Sequence, residues 1–131
     1  MEEIHASGEE YLKWILRLQK ELGGVRNVDL ARYMSYSKAS ITLAMRQLTA
    51  KNYVTRDDDG YFHLTETGTA IAESMNDRHK VITDFLTSLG VDPDIAISDA
   101  CHIEHVISEE SFQKLKEFNQ NNTEKNPGSG K

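Results

Sequence analysis

Residues 27–51 read Asn-Val-Asp-Leu-Ala-Arg-Tyr-Met-Ser-Tyr-Ser-Lys-Ala-Ser-Ile-Thr-Leu-Ala-Met-Arg-Gln-Leu-Thr-Ala-Lys, and this stretch decides the fold. Apolar side chains at Val28, Leu30, Ala31 and Met34, and again at Ile41, Met45 and Leu48, recur at helical spacing with Ser35-Tyr36 as the break between them. Asn27 can cap the first run and Ser37 the second, because a helix start leaves backbone N–H groups that a short side-chain oxygen accepts from. Ala44 lets the second helix approach its neighbours closely. Two short helices joined by a tight turn make a helix-turn-helix, provided a further helix packs against them.

That helix lies upstream. Over residues 8–22 the apolar positions Tyr11, Leu12, Ile15, Leu16, Leu18 and Leu22 keep a period near 3.6, and Gly23-Gly24 ends the run. Downstream, Tyr53-Val54-Thr55-Arg56 and Tyr61-Phe62-His63-Leu64 flank Asp57-Asp58-Asp59-Gly60, which predicts a two-stranded hairpin with an Asp-Gly turn. A hairpin straight after the second of the paired helices makes a winged helix. Thr65-Glu66-Thr67-Gly68 opens a long helix ending near Leu89-Gly90, and a shorter helix follows from about Asp92 through His105. Ser108-Glu109-Glu110 starts a last helix with Phe112, Leu115 and Phe118 as its apolar positions. From Asn119 onward the chain has no apolar residue to bury, so 119–131 is expected to be a disordered tail. The expected fold is mainly α, with a winged helix-turn-helix over 1–65 and a helical domain over 66–118.

The 131 residues contain one cysteine, which excludes an internal disulfide and fits a reducing cytoplasm. No apolar stretch reaches the length of a membrane span, so no membrane partner is expected. The net charge of −6 argues against indiscriminate nucleic-acid binding, yet it is segregated. Arg26, Arg32, Lys38, Arg46, Lys51 and Arg56 face the single acid Asp29 between positions 26 and 56, a local +5, whereas the chain from Glu66 onward sums to −6. A basic island on an acidic chain suits modest DNA affinity that better geometry can raise.

A recognition helix presents its first turns to the major groove. Those turns offer Ser37, Lys38, Ala39, Ser40, Thr42 and Leu43. Ser40 and Thr42 can hydrogen-bond base edges, and Ala39 and the Thr42 methyl can meet thymine methyls. Lys38, Arg46 and Arg56 suit phosphates, which position without reading sequence. Ser37 reads first as a cap. No arginine occupies these turns, so small contacts and DNA shape must share the specificity. A winged helix used only for protein contacts is the competing class.

The second chemical signal is Cys101-His102-Ile103-Glu104-His105. On a helix Cys101, Glu104 and His105 share one face, and a thiolate, a carboxylate and an imidazole together suit iron, manganese, zinc or cobalt. Separately each is unremarkable: a lone cysteine is commonly a small buried hydrophobe and a Glu-His pair is commonly surface. His79 on the long helix and Glu10 on the first are further candidate ligands. His102 points away from this face, and His5 and His63 read as surface residues. Nothing supplies a nucleophile or a phosphate loop, so the chain is not expected to be an enzyme.

With these residues in place, the sequence resembles the diphtheria-toxin-repressor / manganese-transport-regulator family of metal-dependent bacterial repressors. The resemblance covers residues 8 to about 118 and rests on an ordered series of motifs. These are Glu10-Tyr11-Leu12, Asp29-Leu30-Ala31-Arg32-Tyr33-Met34, Ser37 with Ser40, and Leu64-Thr65-Glu66-Thr67-Gly68. Arg78-His79 before Phe85-Leu86, Asp99-Ala100-Cys101 with Glu104-His105, and Ile107-Ser108-Glu109-Glu110 complete it. The resemblance implies a homodimer that binds double-stranded operator DNA and represses metal-uptake genes when metal is bound. It places the metal ligands at Glu10, His79, Cys101, Glu104 and His105, and makes 66–118 the metal-binding and dimerisation domain.

Two departures narrow this. Lys13 stands where manganese-type members carry a second first-helix carboxylate, which opposes a two-metal manganese site. Thr83 and Ile97 stand where iron-type members carry ancillary ligands, and the third, SH3-like domain of those members is not expected. The expected site is one principal metal per subunit, with His79 either completing it or helping form a weaker second one. The Cys101 thiolate points to Fe(II), Co(II) or Zn(II) and the Glu10 carboxylate to Mn(II). Fe(II) is expected first and Mn(II) second, with Zn(II) or Co(II) taken up in vitro; no small organic ligand is expected. Leu86, Leu89, Val106, Ile107, Phe112 and Leu115 are the candidates for the dimer interface. The alternative function is a winged-helix regulator whose DNA binding does not depend on metal.

Overall fold

A computed structural model describes residues 6–125, with side chains described over 8–122, so His5 and residues 126–131 lie outside the described part. Within it the chain forms α1 (Ala6–Leu22), α2 (Asn27–Met34), α3 (Lys38–Ala50), β1 (Val54–Arg56), β2 (Phe62–Leu64), α4 (Glu66–Ser88), α5 (Pro93–Val106) and α6 (Glu109–Lys125). The described residues fall into two compact units divided between Ser74 and Met75, with α4 contributing to both.

The first unit is the winged helix. Leu12, Ile15 and Leu18 of α1, Leu30 of α2, Ile41 of α3 and Val54 of β1 are fully enclosed in one core with Val25. Ser35 takes the left-handed conformation (φ 61°) at the end of α2 and returns its N–H to the Ala31 carbonyl, which makes the turn into α3. Ser37 then caps α3, its Oγ accepting from the Ser40 N–H at 3.1 Å. The α2 cap differs from expectation. Arg26, extended at φ −119°, is the capping residue, and its N–H donates to the Asp29 carboxylate at 2.9 Å. Asn27 is already inside the helix, so its side chain is released for another partner.

The wing pairs β1 with β2 antiparallel, Val54 opposite Leu64 and Arg56 opposite Phe62, and Phe62 also donates its N–H to the Val25 carbonyl at 2.8 Å. Asp57 builds the turn: its Oδ1 accepts from the N–H groups of Asp59 and Tyr61, both at 2.9 Å. Gly60 closes the turn at φ +88°, a conformation that L side chains rarely adopt. Gly68, in the first turn of α4, lies so close to the Tyr53 carbonyl that a Cβ there would overlap it. Ile71 and Ala72 of α4 belong to this unit's core, so the compact unit extends past the hairpin into the helix.

In the second unit Asp92 caps α5 by accepting from the Asp94 N–H at 2.9 Å, and Ser108 caps α6 by accepting from the Ser111 N–H at 3.1 Å. Arg78 ties α4 to the α5–α6 junction. Its guanidinium donates to the Ile107 carbonyl at 2.6 Å and to Glu109 at 2.9 Å, and lies over the Phe112 ring. The expected disordered tail from Asn119 is corrected for the described residues, because α6 continues to Lys125. The reason is a polar anchor, not apolar burial: Asn119 donates its amide to the Val81 carbonyl on α4 at 3.0 Å. Phe112, a candidate for the dimer interface, is only 4% exposed and packs inside the protomer.

Candidate metal centre and nucleic-acid interface

Glu104 is the one charged residue buried among the described residues, at 0% exposure. An ionised carboxylate sealed from water is costly unless donors surround it. Here both oxygens are occupied: Oε1 lies 2.9 Å from Nδ1 of His79 on α4, and Oε2 lies 3.3 Å from Nε2 of His105 on its own helix. His79 is 28% exposed and His105 8%, so both imidazoles are more exposed than the carboxylate they flank. Cys101, half-buried, precedes Glu104 by one turn of α5. The second unit therefore gathers His79, Glu104 and His105 around one buried carboxylate, with the cysteine on the adjoining turn.

Carboxylate, imidazole and thiol donors of this kind fit a divalent transition ion, whose charge would offset the buried anion. When His79 donates from Nδ1 to Glu104, its Nε2 carries the lone pair; the carboxylate thus sets the tautomer and orients the ring. Glu10 belongs to the first unit. On α1 its Oε1 is 4.0 Å from Nζ of Lys13, and the two side chains are 31% and 13% exposed. At two positions that depart from the family pattern, the Thr83 hydroxyl is buried with no hydrogen-bond partner among the described residues and Ile97 is exposed. His102 turns back onto the Ser98 carbonyl at 3.0 Å. His63 is exposed, as expected, but it holds Asp57 at 2.9 Å, and that hydrogen bond keeps the Asp57 carboxyl below the usual aspartate range.

On the first unit, Lys38, Ala39, Ser40, Thr42 and Arg46 of α3 and Arg56 of the wing are all exposed. Leu43 is 55% exposed beside Thr42 on the same helix. Ser37 is exposed as well, but its hydroxyl is spent on capping and on donating to Ser40 Oγ at 3.0 Å. A cleft between α3 and the wing is lined by Thr42, Arg46 and Arg56, with Phe62 and Asn27 behind them. Asn27, expected to cap α2, instead donates from Nδ2 to Thr42 Oγ1 at 2.9 Å, joining the start of α2 to the recognition helix.

A winged helix with a basic recognition face, followed by a helical unit holding a buried carboxylate–imidazole cluster, defines a DNA-binding regulator with a metal-binding domain. The iron dependent repressor N-terminal DNA binding domain matches residues 3–63, and the iron dependent repressor metal binding and dimerisation domain matches residues 65–130. The chain belongs to the iron dependent repressor family of transcriptional regulators, which are not enzymes. The transcriptional regulator MntR of Escherichia coli O157:H7 is 30% identical over 112 residues, covering 86% of this chain and 72% of that protein. An uncharacterised HTH-type transcriptional regulator of Methanocaldococcus jannaschii is 32% identical over 112 residues, covering 84% of this chain and 90% of that one. Among solved structures, the manganese regulator SloR gives a TM-score of 0.78 at 27% identity, and the structure of ScaR with bound Zn2+ gives 0.74 at 26%. Each of those two comparisons covers 86% of this chain and 53% of the solved chain, so this chain spans about half their length. Among the described residues no helix is long and apolar enough to cross a membrane.

Proposed function

We propose that the chain is a cytoplasmic, homodimeric repressor of metal-uptake genes whose operator binding is activated by Fe(II), with Mn(II) the next ion. The observation that carries this reading is Glu104, fully buried with an imidazole nitrogen against each oxygen. A structural ion pair of that cost has little reason to sit beside a cysteine one turn away, whereas a metal ligand set does. The proposed ligands are Cys101, Glu104 and His105, with His79 completing the set or orienting Glu104, and Glu10 joining on its position in Glu9-Glu10-Tyr11-Leu12. The Lys13 ammonium, 4.0 Å from Glu10, favours a single principal ion over a manganese-type pair.

When bound, the ion supplies positive charge and coordination bonds that the chain's own donors lack. Glu104 holds its imidazoles in place beforehand, so little rearrangement is needed to present the donor set. Because Glu10 lies on the helix against which α2 and α3 pack, engaging it restrains the DNA-reading unit. In a dimer the two recognition helices must enter grooves about 34 Å apart, and alignment of two loosely held units costs affinity. Restraint and operator binding are then linked, by about 1–3 kcal/mol in typical cases. On the DNA side Ala39, Ser40 and Thr42 are the proposed base readers, and Lys38, Arg46 and Arg56 the phosphate contacts, with Ser37 holding the helix start. We place the functional boundary at 65/66, with 66–118 binding metal and dimerising. The test is anaerobic titration of operator binding with Fe(II), Mn(II) and Zn(II) in turn. The highest-affinity response should come from Fe(II); equal operator affinity in chelator and in every metal would return the chain to a metal-independent regulator.

A further inference from the structure

Thr42 is the one candidate base reader whose hydroxyl is gripped by a different helix. Nδ2 of Asn27, in the first turn of α2, donates to Thr42 Oγ1 at 2.9 Å. A threonine hydroxyl has one proton and two lone pairs, so this contact fills one lone pair and leaves the proton for another acceptor. Thr49 and Thr87, both inside helices, spend that proton on carbonyls of their own helix at 2.7 and 3.0 Å. Thr42 has no such bond among the described residues, and its side chain is exposed on α3. The orientation of the amide follows from its surroundings. Asn27 Oδ1 is buried with no donor against it, and the reversed amide would bury an NH2 group with two unmet donors there, which costs more.

We infer that Asn27 is a positioning residue that fixes the polarity of Thr42, making it a hydrogen-bond donor towards the DNA. This rests on the proposal that Thr42 reads a base edge. The partner must then be an acceptor: the N7 of a purine, the O6 of guanine or the O4 of thymine. Cytosine, which offers only its amino donor in the major groove, is the base Thr42 is set against. An accepted hydrogen bond also polarises the hydroxyl and strengthens its donation. The device is absent from the α3 sequence itself, because it comes from a side chain 15 residues earlier in the chain.

The experiment uses the full chain and the duplex it selects from a randomised library in the presence of metal. Each acceptor in one half-site is removed in turn: N7 with 7-deazapurines, O6 with 2-aminopurine and O4 with 5-methyl-2-pyrimidinone. For the native chain, one removal at the Thr42 position should weaken binding about three- to tenfold, the range of one hydrogen bond. Thr42→Val should lose that penalty. Asn27→Asp keeps the shape but offers only acceptors, so Thr42 turns its proton inward and the penalty should again fall to within about twofold. The added charge weakens all duplexes alike, and the ratio between modified and unmodified duplex is unaffected by it. Asn27→Ala, which releases the hydroxyl to rotate, should give an intermediate penalty and covers the case in which the aspartate variant does not fold. If Thr42→Val loses the penalty while both Asn27 variants keep it in full, the assignment of Asn27 is overturned. If Thr42→Val keeps it, Thr42 does not read the base and the inference falls with that reading.

Discussion

Replacing Glu104 by glutamine separates a structural ion pair from a metal ligand. Glutamine fills the same buried volume, keeps an oxygen for the His79 Nδ1 donor 2.9 Å away, and can offer its NH2 to His105 Nε2 on the other side. Losing a buried charge relieves desolvation, while two charge-assisted bonds become neutral ones; these effects oppose each other at about 1–3 kcal/mol each. The metal-free variant should therefore stay within about 1 kcal/mol of the native chain. Its metal response should not survive. At a free metal concentration 100 times Kd the native fold gains about 2.7 kcal/mol, which for a domain of this size raises Tm by about 10 °C. Loss of an anionic ligand should weaken binding at least as much as loss of an outer hydrogen-bonding partner, up to about 100-fold. The same metal concentration then yields about 0.4 kcal/mol, or about 2 °C. Differential scanning calorimetry of both proteins in chelator and in Mn(II), the more air-stable of the two favoured ions, reads this directly. A variant that keeps the full metal-induced rise in Tm would refute the placement of Glu104 in the ligand set.

Arg56→Ala should weaken binding to all DNA sequences by a similar factor and lower the slope of log K against log salt by about 1, as fluorescence anisotropy across a salt series would show; a change in sequence preference would make it a base reader instead. Phe112→Ala should cost about 3–5 kcal/mol in urea unfolding, because that ring is buried inside the protomer under the Arg78 guanidinium. Val106→Asp, at a side chain 80% exposed, should leave protomer folding intact and shift sedimentation towards monomer; an unchanged dimer would exclude Val106 from the interface. The wing carries a pH dependence. His63 and the backbone N–H groups of Tyr61 and Asp59 lower the folded pKa of Asp57, so its contribution is present above the unfolded aspartate value of about 3.9 and lost as pH falls through the lower folded value. NMR of the Tyr61 and Asp59 amides should show the hairpin turn loosening in that acidic window, and Asp57→Asn should show no comparable step.

The winged helix was legible in the sequence because its determinants are local. Apolar spacing defines α1 to α3, Ser37 sits where the cap is needed, and Asp57 to Gly60 is turn chemistry that only a hairpin uses well. The spacing of Cys101, Glu104 and His105 likewise put three donor types on one face. The degree of burial was not legible. Nothing in Cys-x-x-Glu-His says that the carboxylate is sealed, or that it meets His79, 25 residues away. The misreading of Asn27 has the same origin: as a candidate cap it is judged against its own helix, whereas its partner lies on α3. The end of α6 lies beyond what apolar spacing reveals, because its anchor is an asparagine amide on a backbone carbonyl. Phe112 and Val106 carry equally apolar side chains, and only the fold sends one inward and leaves the other exposed.

The central claim is that metal at the Glu104 cluster controls operator affinity through the first helix. Operator Kd measured anaerobically in chelator and in saturating Fe(II), for the native chain, Cys101→Ala and Glu10→Ala, tests it most directly. The native chain should bind about 5- to 150-fold more tightly with metal, the span of a typical coupling energy, and both variants should lose most of that gain while keeping the metal-free affinity. A native chain that binds its operator equally well in chelator, or variants that respond in full, would contradict it.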